Sequence, residues 1–212
     1  MSRLWHIVIV FLVIGGWMPG EILAEPARET PGELPVEHTG KKEAGTMADQ
    51  TGKSEEKKVT KDQAHQYFAV ALNNRTWELL GRKDRTPAEN EEMIHAAHGS
   101  CWHWMQIGTP VNHQRGEWLI SRVYAVLGMA EPAVYHAQLC RELTEKYAGE
   151  MQDFDRAYAW ESLARAYAVS GDAEVAAEYR AKAVLVGQAI SGDEDRKMFM
   201  SDLESGDWHG VK

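Results

Sequence analysis

Cysteine is scarce in this sequence, with two among 212 residues, Cys101 and Cys140. That count excludes a fold resting on a disulfide framework. Lysine and arginine never gather into a basic cluster, and the formal net charge is −9. Capture of duplex nucleic acid depends on neutralising phosphates, so DNA and RNA are excluded as partners. An acidic balance of this size serves solubility. No alternating apolar–polar run of strand length competes with helix. Glycine-rich phosphate loops are absent, and neither Ser100 nor Ser121 sits in a glycine elbow. Also missing is the metalloprotease spacing of two histidines four apart with glutamate after the first. No reaction is legible in what remains.

The opening segment has its own character. Residues 1–24, "MSRLWHIVIVFLVIGGWMPGEILA", start basic at Arg3, run apolar from Ile7 to Ile14 and end on Ala24 before Glu25. These are the marks of a secretory signal peptide. The rival is an uncleaved anchor, because residues 4–20 reach the lower end of a membrane span, about 17 residues. Either way the chain is expected outside the cytoplasm, periplasmic or secreted. Export would let a disulfide persist, yet both cysteines fall in apolar helical surroundings, and two buried thiols are expected. Residues 25–60 are punctuated by Pro26, Pro31 and Pro35, lack aromatics and mix charges. So little apolar content cannot offset the entropy of ordering, and a disordered tether is expected.

From residue 61 the spacing turns helical. Phe68, Leu72 and Leu79 recur at helical intervals until Gly81. Thr86-Pro87 with Glu89 forms a capping box that starts a second helix running to about Ile107. Further helices are expected over about 113–127, 131–147, 153–170 and 172–188, with a polar one near 193–205. The fold class is therefore all-α, with six to seven helices.

Residues 157–190 carry Trp160, Leu163, Ala164, Tyr167, Gly171, Ala176, Tyr179 and Ala183. Small Ala164 and Ala176 allow two helices to approach, while Trp160 and Tyr167 fill the space beside them. Gly171 permits the tight turn between them. Sliding back 43 residues aligns Arg122 with Arg165, Tyr124 with Tyr167, Gly128 with Gly171 and Ala133 with Ala176. Residues 114–147 are thus a second hairpin, departing from the pattern at Glu117, where an aromatic is expected. Both resemble tetratricopeptide (TPR) repeats, although the offset exceeds the usual repeat of about 34. Residues 61–111 read as a further hairpin and residues 191–212 as a polar cap or tail.

The resemblance implies a short solenoid of antiparallel helix pairs holding a protein or peptide partner in its concave groove. Carried over by repeat position, the groove candidates are Arg115, Trp118 and Arg122 from one hairpin and Tyr158, Glu161 and Arg165 from the next. Guanidiniums at the equivalent positions 122 and 165 suit carboxylates, so an acidic or C-terminal peptide is expected. The competing expectation is that these arginines pair with Glu161, Glu117 or the tether.

The stretch "EEMIHAAHGSCWHWMQ", residues 91–106, holds three histidines and two tryptophans. Glu92, His95, His98, Trp102 and His103 share one broad helix face, opposite Met93, Ala97 and Trp104. His95 and His98 are one turn apart and suit a shared metal, with Glu91 or Glu92 as a third ligand. His103 lies roughly 12 Å further along the axis and is better placed to meet His113. The ligands thus fall into two pairs and no four-ligand cage, so no cofactor is expected, with a divalent metal as the alternative. Cys101 and His103 point to opposite sides of their helix, which removes a thiol–imidazole dyad.

Overall fold

The computed structural model of the chain describes residues 59–211. The signal segment and the tether, apart from its last two residues, lie outside the described residues. Seven helices follow one another: α1 Lys61–Leu80, α2 Pro87–Ile107, α3 Pro110–Val126, α4 Ala130–Lys146, α5 Asp153–Ser170, α6 Ala173–Gln188 and α7 Asp193–Glu204. No strand occurs among the described residues. The fold is all-α.

Local chemistry sets the helix starts. Thr60, counted above with the tether, is the N-cap of α1 and exchanges bonds with Gln63 in a capping box. Thr86 and Glu89 do the same for α2, with Pro87 at the first helical position. The third helix begins at Pro110, three residues before the expected His113. Thr109 and Pro110 repeat the Thr86-Pro87 start, and Asn112 Oδ1 accepts the Thr109 backbone N–H at 2.9 Å. The stretch "GTPVN", expected to end one helix, therefore mainly begins the next, leaving only Gly108 and Thr109 as connection. Gly128 and Gly171 occupy the matched turns with φ of +71° and +84°, a left-handed backbone that favours glycine.

Consecutive helices pack as antiparallel pairs, α1 on α2, α3 on α4 and α5 on α6. The pairs stack through α2 on α3, α4 on α5, and α3 on α5, so the first helices of the last two hairpins touch directly. Leu79, Met93, Ala97, Cys101, Ile120 and Val123 form one core. Ala125, Ala133, Ala137, Leu163 and Ala166 form a further one, flanked by Trp160, Tyr167 and Tyr179. Alanine at these positions brings helix backbones close, and the rings fill the remaining space: Trp160 stacks on Tyr179 with centroids 5.7 Å apart. Both cysteines are buried, free thiols.

The terminal helix is polar over most of its length but carries two buried apolar anchors. Helix α7 folds back against both α6 and α5. Phe199 and Leu203 are fully buried, and Trp208 and Val211 beyond the helix are buried as well. Among the described residues, no helix is long and apolar enough to cross a membrane.

Candidate functional site

The α3–α5 contact brings together all six groove candidates. Equivalent positions on stacked helices become neighbours, as Trp118 and Glu161 do: the indole Nε1–H donates to Glu161 Oε2 at 3.1 Å. Arg122 Nη1 donates to Glu161 Oε1 at 3.3 Å, and Arg165 Nε donates to the same oxygen. Glu161 is thus the shared carboxylate of two guanidiniums, itself 1% exposed. Burial by itself would raise its carboxyl, but Arg165 and Arg122 beside it hold it below the ordinary value. Arg115 makes a two-pronged pair with buried Asp155, at 2.8 and 3.1 Å. The competing expectation of internal pairing therefore describes where Arg122 and Arg165 first spend their donors.

What lies on the outer side of this wall was not legible from the repeat. Arg165 Nη2 donates to two main-chain carbonyls, Asp202 at 2.7 Å and Ser205 at 3.1 Å. Its guanidinium carbon also sits 4.2 Å from the Trp208 ring centroid, with Arg180 at 5.0 Å from the same centroid. Tyr158 donates its hydroxyl to Asp202 Oδ2 at 2.6 Å. Its ring meets Trp118 on one side and Phe199 on the other, edge-on, at 5.2 and 4.8 Å. Burial pushes both the Tyr158 hydroxyl and the Asp202 carboxyl above their ordinary values. The chain's own residues 199–208 therefore lie along the wall that the repeat pattern assigns to a partner. The available signal was modest: Phe199 and Leu203 four apart, then a lone Trp208, in an otherwise acidic stretch.

The residues of the metal alternative do not meet. Glu92 is bound by Arg75 through both oxygens, at 2.7 and 2.9 Å. His95 is exposed and lies 4.0 Å from Glu91. His98 Nε2 bonds Tyr124 Oη at 2.9 Å. His103 faces His65, Nδ1 to Nδ1 at 3.0 Å, on α1, and not His113 as expected. The physical reason is that α1 packs along the same face of α2 and reaches His103 first.

His113 instead enters a different cluster. Its Nε2 lies 3.0 Å from Glu117 Oε1, one turn along α3. The other Glu117 oxygen meets His136 Nδ1 at 2.6 Å, from α4, and Cys101 Sγ of α2 lies 3.9 Å from Oε1. Burial would raise the Glu117 carboxyl, but His136 and His113 draw it below its ordinary value. Burial, then Glu117, pushes the Cys101 thiol up to about 12, so at neutral pH it is protonated and a poor nucleophile. In the sequence Glu117 reads as a departure from the repeat and as a candidate partner of the arginines, neither of which points to this cluster. Its spacing from His113, four residues on a helix, was the signal that pointed here.

A pH dependence follows from these environments. Burial, then neighbouring histidines, lowers His98 and His103 from the ordinary 6.5. The unfolded chain therefore takes up protons first, and stability declines as pH falls below about 6.5. Glu117 and Glu161, lowered from 4.5, add a second decline as pH falls below that value. Asp202, raised, acts in the opposite sense over the acid range. Urea midpoints are expected to change little from pH 7.5 to about 6.5 and to fall from there down to pH 4. A midpoint that rises between pH 7.5 and 5.5 would contradict this assignment.

No family model matches the chain, and comparisons with curated proteins and with solved structures likewise find no match.

Proposed function

We propose that this chain is an exported, TPR-like interaction module that holds a peptide segment of a partner protein along the α3–α5 wall. One observation carries the proposal. Arg165 donates to two successive stretches of main chain, at Asp202 and Ser205, while its face rests on Trp208. Carbonyls are common to every peptide, so a guanidinium committed to them is suited to a chain and not to a small metabolite. Tyr158, donating to the Asp202 carboxylate, adds a preference for an acidic side chain. The favoured ligand therefore ends a helical turn with free carbonyls, carries an acidic residue and follows with an aromatic ring. The chain's own C-terminal segment meets that description and occupies the wall in place of the partner. The apolar opening segment supports export, and the proline-punctuated stretch behind it supports a domain held at reach from a surface.

Affinity capture from an envelope extract tests this. The Phe199→Ala chain, with its own segment loosened, is expected to retain a protein that the unaltered chain retains weakly. Adding Arg165→Met is expected to remove it. If all three chains retain the same proteins in the same amounts, the wall is not the binding surface.

A further inference from the structure

The Cys101–His113–Glu117 cluster stands apart from the wall and has no part in holding the C-terminal segment. One ligand-capable atom from each of the three residues lies within 4.8 Å of the other two. Around a four-coordinate zinc with ligand bonds of about 2.0–2.3 Å, neighbouring ligand atoms lie roughly 3.3–3.8 Å apart. The observed 3.0 Å from His113 Nε2 to Glu117 Oε1 and 3.9 Å from Cys101 Sγ to the same oxygen bracket that spacing. Small side-chain rotations suffice to bring all three to one ion. We propose that Cys101, His113 and Glu117 bind one divalent ion of the zinc type between α2 and α3, with His136 positioning Glu117.

Several independent features of the fold favour this. Glycine at 116 is what lets α2 approach: a Cβ there would stand 2.6 Å from Cys101 Sγ and 3.3 Å from its Cα. Without that gap the sulfur could not lie beside Glu117. His136 holds the second Glu117 oxygen at 2.6 Å, the outer support that fixes a ligating carboxylate. His136 is in turn bracketed by His98, ring centroids 5.2 Å apart, and stacked on Tyr124 at 5.8 Å, so it is held in place. Cys101 and Glu117 are buried, while His113 is 30% exposed and gives the ion a way in.

Charge and softness choose the ion. A thiolate and a carboxylate bring two negative charges to one divalent cation, so the buried site closes neutral. On binding, the Cys101 S–H bond breaks and its proton leaves to solvent past His113, while the Nε2–H that His113 turns to Glu117 is given up and the ring keeps its proton on Nδ1; the sulfur and the freed Nε2 then bond the metal. Sulfur and imidazole suit zinc or cobalt and not magnesium or calcium, which take oxygen ligands. Three protein ligands leave a fourth position for water, the arrangement of an open site and not a closed structural one.

The test uses the full chain without a histidine tag, stripped of metal and titrated with Co2+ and then Zn2+. One ion per chain is expected, with a thiolate-to-cobalt charge-transfer band that Zn2+ bleaches. Cys101→Ser is expected to abolish that band. His113→Ala, at a half-open position where folding is preserved, is expected to weaken affinity beyond the roughly 10–100-fold that a supporting residue such as His136 contributes. His95→Ala is expected to change neither. Circular dichroism of each variant before titration separates lost binding from lost folding. The proposal is overturned if the folded chain takes up no ion, if bound cobalt shows no thiolate band, or if affinity survives His113→Ala.

Discussion

Glu161→Gln is expected to destabilise the fold by about 3–5 kcal/mol, because it strands two cations in a place where water cannot replace the lost carboxylate. Glu161 accepts from Trp118, Arg122 and Arg165 together, and its side chain is 2% exposed. Two guanidiniums in one buried neighbourhood repel unless a negative charge lies between them. A glutamine keeps the shape and one carbonyl oxygen that can accept from both guanidiniums, but its NH2 cannot accept from Trp118, so the loss reports the charge together with one lost acceptor. Urea denaturation followed by helical signal measures it. Arg122→Met in the Glu161→Gln chain is expected to return part of the loss, since one of the stranded charges is then gone. A loss below about 1 kcal/mol, the range of solvated surface pairs, would mean the wall is wetter than its geometry indicates.

Phe199→Ala is expected to release the C-terminal segment while the three hairpins stay folded. The Phe199 ring is fully buried and packs edge-on against Tyr158. Removing a ring of this kind costs about 3–5 kcal/mol. Helix α7 has few other anchors: Leu203, Trp208, the Tyr158–Asp202 bond and the Arg165 bonds to two carbonyls. Losing the largest anchor shifts the segment toward the undocked state, while α1–α6 keep their own cores. Hydrogen exchange is the measurement that separates the two levels. Amides of residues 193–204 are expected to lose protection, and those of α3 and α5 to keep most of theirs. Trp208 fluorescence is expected to move to longer wavelength as the ring enters water. If α3 and α5 lose protection together with α7, the segment is an inseparable part of the fold and no partner could replace it.

The sequence made the helix count and most helix boundaries readable because their causes are local. Thr86, Pro87 and Glu89 are neighbours in the chain and solve the same backbone problem wherever the helix goes. Thr109 and Pro110 carried the same information, but the glycine before them drew attention to an ending. The stacking was readable through Gly128 and Gly171, since a turn that needs a left-handed residue announces itself. Two further features were not readable, and for one reason. The docking of residues 199–208 on Arg165 and the meeting of His136 and Cys101 at Glu117 both join side chains of different helices. Helix periodicity says which face a side chain takes, but not which helix arrives there. The rise per residue separates His95 and His98 from His103, but nothing local says that α1 brings His65 to His103.

The measurement that bears most directly on the wall as a holder of peptide segments is a binding titration. A labelled peptide of residues 193–212 is added to the full Phe199→Ala chain, to the unaltered chain and to the Phe199→Ala, Arg165→Met chain. Saturable one-to-one binding to the first, with little to the second because its own segment is in place, and loss in the third are the expected results. Equal binding with and without Arg165, or none to the loosened chain, would contradict the account.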